Sequence, residues 1–196
     1  MTAKLTFEPL TPERWDDLER LFGPERGANS GCWCMYWRVK KPEWDKLGKA
    51  GRKRTMRALV AAGAVPGIIA YEGEVPVAWC AIAPRAATPR FNTSRVAKPV
   101  GDVSATDWAI TCFYIAPTHR HKHLMSALVD AALKHARRNG ARAVEGCPIE
   151  PKRRLMWGEG FVGIASVFRG AAFEEVAKRS ETRTLMRRDL KRGRGD

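Results

Sequence analysis

An apolar run, Trp-Ala-Ile-Thr-Cys-Phe-Tyr-Ile-Ala at positions 108–116, is stopped by Pro117, and a helical repeat follows almost at once. Its aromatic and β-branched residues predict a buried strand. After Thr-His-Arg-His-Lys-His at 118–123, Leu124, Ala127, Leu128, Ala131 and His135 recur at helical spacing, and Asn139-Gly140 gives a C-cap signal. A strand thus runs straight into a helix whose first turn is expected to carry one Arg, one Lys and three His. A helix N-terminus offers unpaired backbone N–H groups and the positive end of the helix dipole. With cations added there, the predicted receptor is one for phosphate.

The rest of the chain arranges itself around that unit. Residues 5–10 read as a short strand. Thr11 is placed to N-cap a helix with Pro12 at its first position and a buried stripe of Trp15, Leu18 and Phe22. Residues 23–31 form a Gly-rich loop that delivers Cys-Trp-Cys-Met-Tyr-Trp-Arg at 32–38. Aromatic density outside any clear period suits either a buried plug or a pocket wall. Residues 42–62 read as two short helices, with Met56, Leu59 and Val60 inward and Arg52, Lys53, Arg54 and Arg57 outward. Strands at 67–71 and 75–83 form a hairpin through Glu72-Gly73-Glu74. Residues 84–104 show little periodicity and make a long connection of the kind that carries function. A strand at 141–149, a glycine-broken loop at 157–160, a short helix at 163–169 and two antiparallel strands at 173–179 and 182–190 complete an α+β layered fold. One domain spans residues 1–190, and 191–196 is expected to be a frayed basic tail.

Charge limits the partners. Lys and Arg exceed Asp and Glu by 35 − 21 = 14, an excess that favours polyanions or anionic small molecules. Part of it falls in the tail and part on residues 49–54, read as a solvated helix start. A nucleic-acid partner stays open, although no arginine–aromatic ladder or zinc finger supports one. No apolar run approaches the ~20 residues that span a bilayer, and the first residues lack a signal-peptide core. The expected location is the cytoplasm, with no membrane partner. The cysteines, 5 in number, are odd and dispersed, so no disulfide framework is expected. Cys32-Trp-Cys34 finds no second pair to complete a tetrahedral site, and His119, His121 and His123 do not converge at a spacing of two. No metal is expected.

Phe-Tyr-Ile-Ala-Pro-Thr-His-Arg-His-Lys-His-Leu-Met-Ser-Ala-Leu at 113–128 resembles the acetyl-CoA-binding motif of GNAT N-acyltransferases, a strand ending in (V/I)xP followed by (R/Q)xxGx(G/A). Arg120 falls on the Arg/Gln position, while His123 stands where the family has Gly and Met125 where it has Gly or Ala. Ser-Val-Phe-Arg-Gly-Ala-Ala-Phe at 166–173 resembles the family's last-helix motif. There Phe168 occupies the position of a Tyr that acts as general acid, and Ala172 replaces a Gly. The Cys-Trp-Cys-Met-x-Trp-Arg segment looks like that of an uncharacterised bacterial subgroup. The resemblance covers most of the chain. It implies a mostly antiparallel twisted sheet of about seven strands with helices on both faces.

It also implies a reaction, direct attack of an amine on the thioester of acetyl-CoA in a ternary complex. Carried across, backbone groups of Phe113, Tyr114 and Ile115 pair with the pantetheine arm. Backbone N–H groups of His121, Lys122, His123, Leu124 and Met125 hold the pyrophosphate, aided by Arg120, with Ser166 and Phe168 as further cofactor contacts. Trp33, Met35, Tyr36 and Trp37 would line the pocket of the acceptor, an amine of a small molecule or peptide. The state of assembly, monomer or homodimer, stays open.

An alkyl ammonium of pKa near 10.4 is neutral about once in 2,500 molecules at pH 7, a handicap of roughly 4.6 kcal/mol. A base, direct or through water, therefore helps. The family's strand Glu falls at Ala109, which leaves Asp107, two residues earlier on the same side, and Glu145 on the neighbouring strand as candidates. Tyr114 is the candidate donor to the leaving thiolate. The alternative is a GNAT-fold binding module of weak or no turnover, with an altered phosphate loop and a polyanionic partner.

Overall fold

The apolar run at 108–116 becomes the middle strand of a sheet. The computed structural model describes residues 4–120, 122–156 and 158–190. In chain order the elements are β1 (Leu5–Pro9), α1 (Trp15–Phe22), α2 (Lys41–Ala61), β2 (Gly67–Glu72), β3 (Val75–Pro84), α3 (Pro89–Thr93), β4 (Asp107–Ile115), α4 (Leu124–Arg138), β5 (Ala143–Gly146), α5 (Ala165–Gly170), β6 (Glu174–Lys178) and β7 (Thr184–Asp189). The strands form one sheet in the order β1-β2-β3-β4-β5-β7-β6. Every adjacent pair is antiparallel except β4 and β5. Parallel neighbours need a crossover, and α4 supplies it.

One irregularity in β4 decides which side chains face which layer. Ala81 of β3 pairs with Cys112, but the next residue, Ile82, pairs with Ile110. Thr111 is therefore the extra residue of a β-bulge, and the alternation shifts by one beyond it. Trp108 and Ile110, then Phe113 and Ile115, pack on the α4 side with Leu124, Leu128, Val129 and Ala132. Cys112 and Tyr114 turn to the opposite layer, with Trp15, Phe22 and Trp33.

The helix after β4 begins later than its sequence suggests. His123 sits at φ 57°, ψ 15°, left-handed, and α4 opens at Leu124. Arg120 and Lys122 therefore precede the helix and do not belong to its first turn; His121 lies outside the described residues. The C-terminus follows expectation. Gly140 takes φ 80°, its N–H bonds the Arg137 carbonyl and that of Ala141 bonds Ala136, which closes the last turn as a Schellman motif.

On the other face, α1 and the 32–39 segment fill the space above β2 and β3. Trp33 and Met35 are 2% and 1% exposed. The Trp33 ring stacks on Trp15 at 6.0 Å and meets Phe22 at 5.8 Å, and the Trp79 indole N–H donates to Cys34 Sγ at 3.0 Å. Of the two readings of this segment, its first half is the plug. The 42–62 region is two helices joined at Gly48, whose φ 58° and ψ −175° break α2. Arg52 is a correction. It points inward, its guanidinium 3.6 Å from the Trp44 ring centroid, and donates to the carbonyls of Gly31 (3.3 Å) and Trp44 (3.1 Å). Residues 49–54 are thus not simply a solvated helix start. Thr11 makes no side-chain cap bond either; a 3-10 turn at Pro12–Arg14 intervenes, and its hydroxyl accepts from Arg14 Nη1 at 3.4 Å. Among the described residues no helix is long and apolar enough to cross a membrane.

Candidate active site

The sheet opens between its two parallel strands. β4 and β5 pair from Asp107↔Ala143 to Ile110↔Gly146 and no further. Beyond Gly146 the chain leaves the sheet, and Ile149 bridges instead to Ile164 and Arg183. The second half of β4 thus has no strand beside it on that edge. A 3-10 turn, Glu159–Val162, comes alongside, and its Phe161 ring stacks on Tyr114 at 6.1 Å, 5° from parallel. Tyr114 also meets Phe22 edge-on at 5.5 Å.

On the α4 side the floor of the opening is aromatic. Phe168 is fully buried between Phe113 (6.1 Å) and Phe173 (4.8 Å). Gly163, at φ 87°, leaves it room: a Cβ there would stand 2.6 Å from the Phe168 ring and 2.9 Å from Phe113. Phe168 therefore acts as packing, and its ring contributes no wall to the pocket of ≈ 230 Å³ between α4 and α5. That pocket is lined by Ser126, Asp130, Ser166, Val167, Gly170 and Ala171, so Ser166 is at a surface where a ligand can reach it.

The helix opening is exposed and partly occupied by its own contacts. Arg120 is exposed, and its Nε donates to the Ile115 carbonyl at 3.2 Å. His119 bonds Glu72 through Nε2 (3.1 Å) and Thr118 through Nδ1 (2.8 Å). Lys122 and His123 face solvent, whereas the Leu124 side chain is buried and Met125 packs against the core. Leu124 and Met125 can therefore serve an anion only through their backbone N–H groups, which at the first positions of a helix have no intrahelical acceptor.

The two carboxylates proposed as bases are both engaged by arginines. Asp107 and Glu145 are 5% and 4% exposed. Arg187 reaches Asp107 at 3.1 Å and Glu145 at 3.3 Å. Arg85, fully buried, pairs with the other oxygen of Glu145 and donates to the Ala97 carbonyl at 2.6 Å. The second oxygen of Asp107 accepts the Ser104 N–H at 3.0 Å. Burial pulls the Arg85 guanidinium below its usual range, with Glu145 opposing. For Arg187 burial acts the same way, but bonds to Asp189, Asp107 and Glu145 outweigh it and hold the charge. Neither carboxylate stands free beside the opening: the oxygens of both are occupied by an arginine or a backbone N–H.

On the sheet face away from α4, Phe91, Ala97, Ala109 and Cys147 pack together with Trp37 and Val96. Trp37 meets Phe91 edge-on at 5.3 Å and Tyr36 at 4.9 Å. Of the four residues expected to line an acceptor pocket, Trp33 and Met35 are withdrawn into the core, and Tyr36 and Trp37 stand beside the opening. Sequence reasoning did not single out Arg85, Arg187 or Phe161. The available signal for Arg85 was its position directly after an apolar strand at the head of the long connection.

A sheet parted between two parallel strands, with a helix start beside the parting, defines the layout of an acyltransferase of the GNAT type. Residues 14–153 match the family model described as Acetyltransferase (GNAT) family, and the chain belongs to that family. Among solved structures it is similar to yncA of Salmonella typhimurium, solved with its cofactor acetyl-CoA (12% identity, 97% of this chain and 96% of that one, TM-score 0.55). It is also similar to the PaiA N-acetyltransferase of Thermoplasma acidophilum in complex with coenzyme A (10%, 95% and 99%, 0.54). An acetyltransferase of Thermus thermophilus aligns at 18% identity over 97% and 100%, with TM-score 0.51. At these identities the likeness concerns the fold. No curated protein matches the chain.

Proposed function

We propose that the protein is an N-acetyltransferase that moves the acetyl group of acetyl-CoA to an amine of a small molecule or peptide. The observation that carries the reading is the parting of β4 from β5 after Ile110 and Gly146, next to the start of α4. The residues present suit the co-substrate. The unpaired edge of β4 offers peptide groups of Phe113, Tyr114 and Ile115 to an amide-bearing arm. The N–H groups opening α4 suit a diphosphate. His123 already holds the left-handed backbone that glycine adopts most readily. Acetyl-CoA supplies an activated acyl group, and the chain need only hold it in line with the amine and exclude water.

Tyr114 is assigned as the proton donor to the departing thiolate. Its place beside the opening, between Phe22 and Phe161, fixes the ring. Asp107 and Glu145 are assigned to positioning, since Arg85 and Arg187 hold both. The acceptor ammonium gives its proton to bulk solvent before the site closes on it, and Tyr114 regains from solvent the proton it passes to the thiolate. Five free thiols fit a reducing compartment such as the cytoplasm.

A thermal-shift titration with acetyl-CoA tests the binding half. A ligand at 100 times its Kd adds about 2.7 kcal/mol, so the melting temperature should climb by several degrees. Thiol release across an amine panel tests the transfer half, and Tyr114→Phe should lower kcat roughly 100-fold with little change in KM for acetyl-CoA. A flat melting curve at millimolar acetyl-CoA would defeat the enzyme and favour the binding-module alternative, for which the side chains of His123 and Met125 at the helix opening are the supporting observation.

A further inference from the structure

We infer that the acceptor amine also carries an oxyanion, a carboxylate or a phosphate, bound by Arg90, Arg179 and Arg183 on the sheet face away from α4; this rests on the acetyltransferase reading above. Three segments bring these arginines around the cluster of Phe91, Ala97 and Cys147, where β5 ends. Arg183 donates from Nη2 to the carbonyl of Cys147 at 2.6 Å, the residue at which the chain departs from β5. Arg179 donates from Nη2 to the Lys98 carbonyl at 2.6 Å. The Arg90 guanidinium lies 3.8 Å from the Tyr36 ring centroid. Residues 96–98 tie the group together, since the Cys147 thiol donates to the Val96 carbonyl at 2.9 Å and Phe91, Ala97 and Cys147 pack as one cluster. The Cys147 thiol feels the same cations: burial raises its pKa, and Arg183, Arg179 and Arg85 pull against that.

These three share a kind of partner also seen at Arg52 and Arg120, but Arg179 and Arg183 both act on one residue, Cys147, at the end of β5. Arg153, Arg169 and Arg187 all meet carboxylates. Arg90, Arg179 and Arg183 meet carbonyl oxygens or a ring face, and among the described residues none pairs with an acid. Each also leaves one solvent-excluded nitrogen without an acceptor, Nη1 of Arg90 and Nε of Arg179 and Arg183. Guanidinium groups bind carboxylate and phosphate through parallel N–H bonds, and a planar fork anchored at one nitrogen is already oriented for that. An oxyanion reaching their remaining, accessible N–H groups would neutralise charge that no described acid balances. Tyr36 and Trp37 beside them offer an apolar wall to the rest of the acceptor.

The test compares matched amines that differ only in the anion, L-phenylalanine against L-phenylalaninamide and O-phosphoethanolamine against ethanolamine, by thiol release from acetyl-CoA. The anion-bearing member of at least one pair should show kcat/KM tenfold higher or more, and the pair that does so separates carboxylate from phosphate. Arg183→Gln should shrink that gap below threefold; if this variant does not fold, Arg90→Gln reads the same gap. Binding without turnover is read from the melting shift given by N-acetyl-L-phenylalanine against its amide and by O-phosphoethanolamine against ethanolamine. A larger shift with an anion, lost in the Arg variant, supports the inference even if no amine is acetylated. Equal rates and equal shifts within every pair overturn it. If acetyl-CoA still raises the melting temperature in that case, the acetyltransferase reading survives and only the acceptor class is wrong.

Discussion

Arg85 and Glu145 meet as an ion pair with side-chain exposures of 0% and 5%. One residue later β5 ends at Gly146 and the sheet opens, so the pair fastens the 85–97 connection to the last paired turn of the parting strands. Arg187 takes the other Glu145 oxygen and shares Asp107, so two buried carboxylates rest on two arginines, with the exposed Asp189 on Arg187 as a third anion. Removing one member leaves an uncompensated buried charge, and that costs about 3–5 kcal/mol. Arg85→Met and Glu145→Gln should each lose about that much in urea unfolding. The double variant should lose clearly less than the sum, because the second change removes the charge the first one stranded. Additive losses would show that the pair is not coupled.

Phe168→Tyr restores the side chain that the resemblance leads one to expect at that position, yet the packing predicts no gain. The ring is closed in by Phe113, Phe173, Gly146 and Gly163, so a hydroxyl there meets apolar atoms. An unmatched buried hydroxyl costs about 1–3 kcal/mol. Unfolding should show that loss, and kcat should not rise. A faster enzyme of unchanged stability would mean that the hydroxyl reaches the opening.

Elements whose period is carried by large apolar residues were legible. The run at 108–116, the stripe of α1, the Gly73 hairpin and the Asn139-Gly140 cap all fall where their side chains and turn residues demand. The bulge at Thr111 was not, because an apolar residue at nearly every position of β4 conceals which ones face each layer. Nor was the inward turn of Arg52. Among 35 Lys and Arg residues, nothing local separates a guanidinium that will lie on Trp44 from one that will lie in water. The candidate site was legible where it is made of backbone, at the end of β4 and the start of α4. It was not legible at Asp107 and Glu145, whose partners come from residues 85 and 187, far away in sequence. The late start of α4 was not legible either: helical spacing marks the repeat but does not show that the residue before it, His123, takes a left-handed turn.

Stability should fall on mild acidification through His135. The imidazole on α4 is half-buried, meets Trp108 edge-on at 5.8 Å, and leaves Nε2 without a partner. Burial lowers its pKa from 6.5, with Arg138 adding to the effect. The unfolded chain therefore takes up the proton first, and stability drops as pH falls from about 6.5 toward the lower folded value. Above 6.5 this group has no effect. His135→Leu removes the titration, so its urea midpoint relative to the parent should improve between pH 7.5 and pH 5.5. An unchanged difference would place the imidazole in contact with water in the folded state.

The last expectation concerns the residue that opens α4. At φ 57° a side chain with a Cβ stores strain of the order of 1–3 kcal/mol, while glycine gives back about 0.4–1 kcal/mol through the looser unfolded chain. His123→Gly should therefore be neutral to slightly stabilising. For ligand binding the larger effect is steric, since the substitution clears a Cβ and an imidazole from the N–H groups of Leu124 and Met125. Coenzyme A should bind several-fold more tightly in isothermal titration, with the gain arising from closer approach of the diphosphate to the backbone. A weaker Kd in the glycine variant would mean the opposite, that the imidazole itself donates to the phosphate and that its charge and reach outweigh the space it takes.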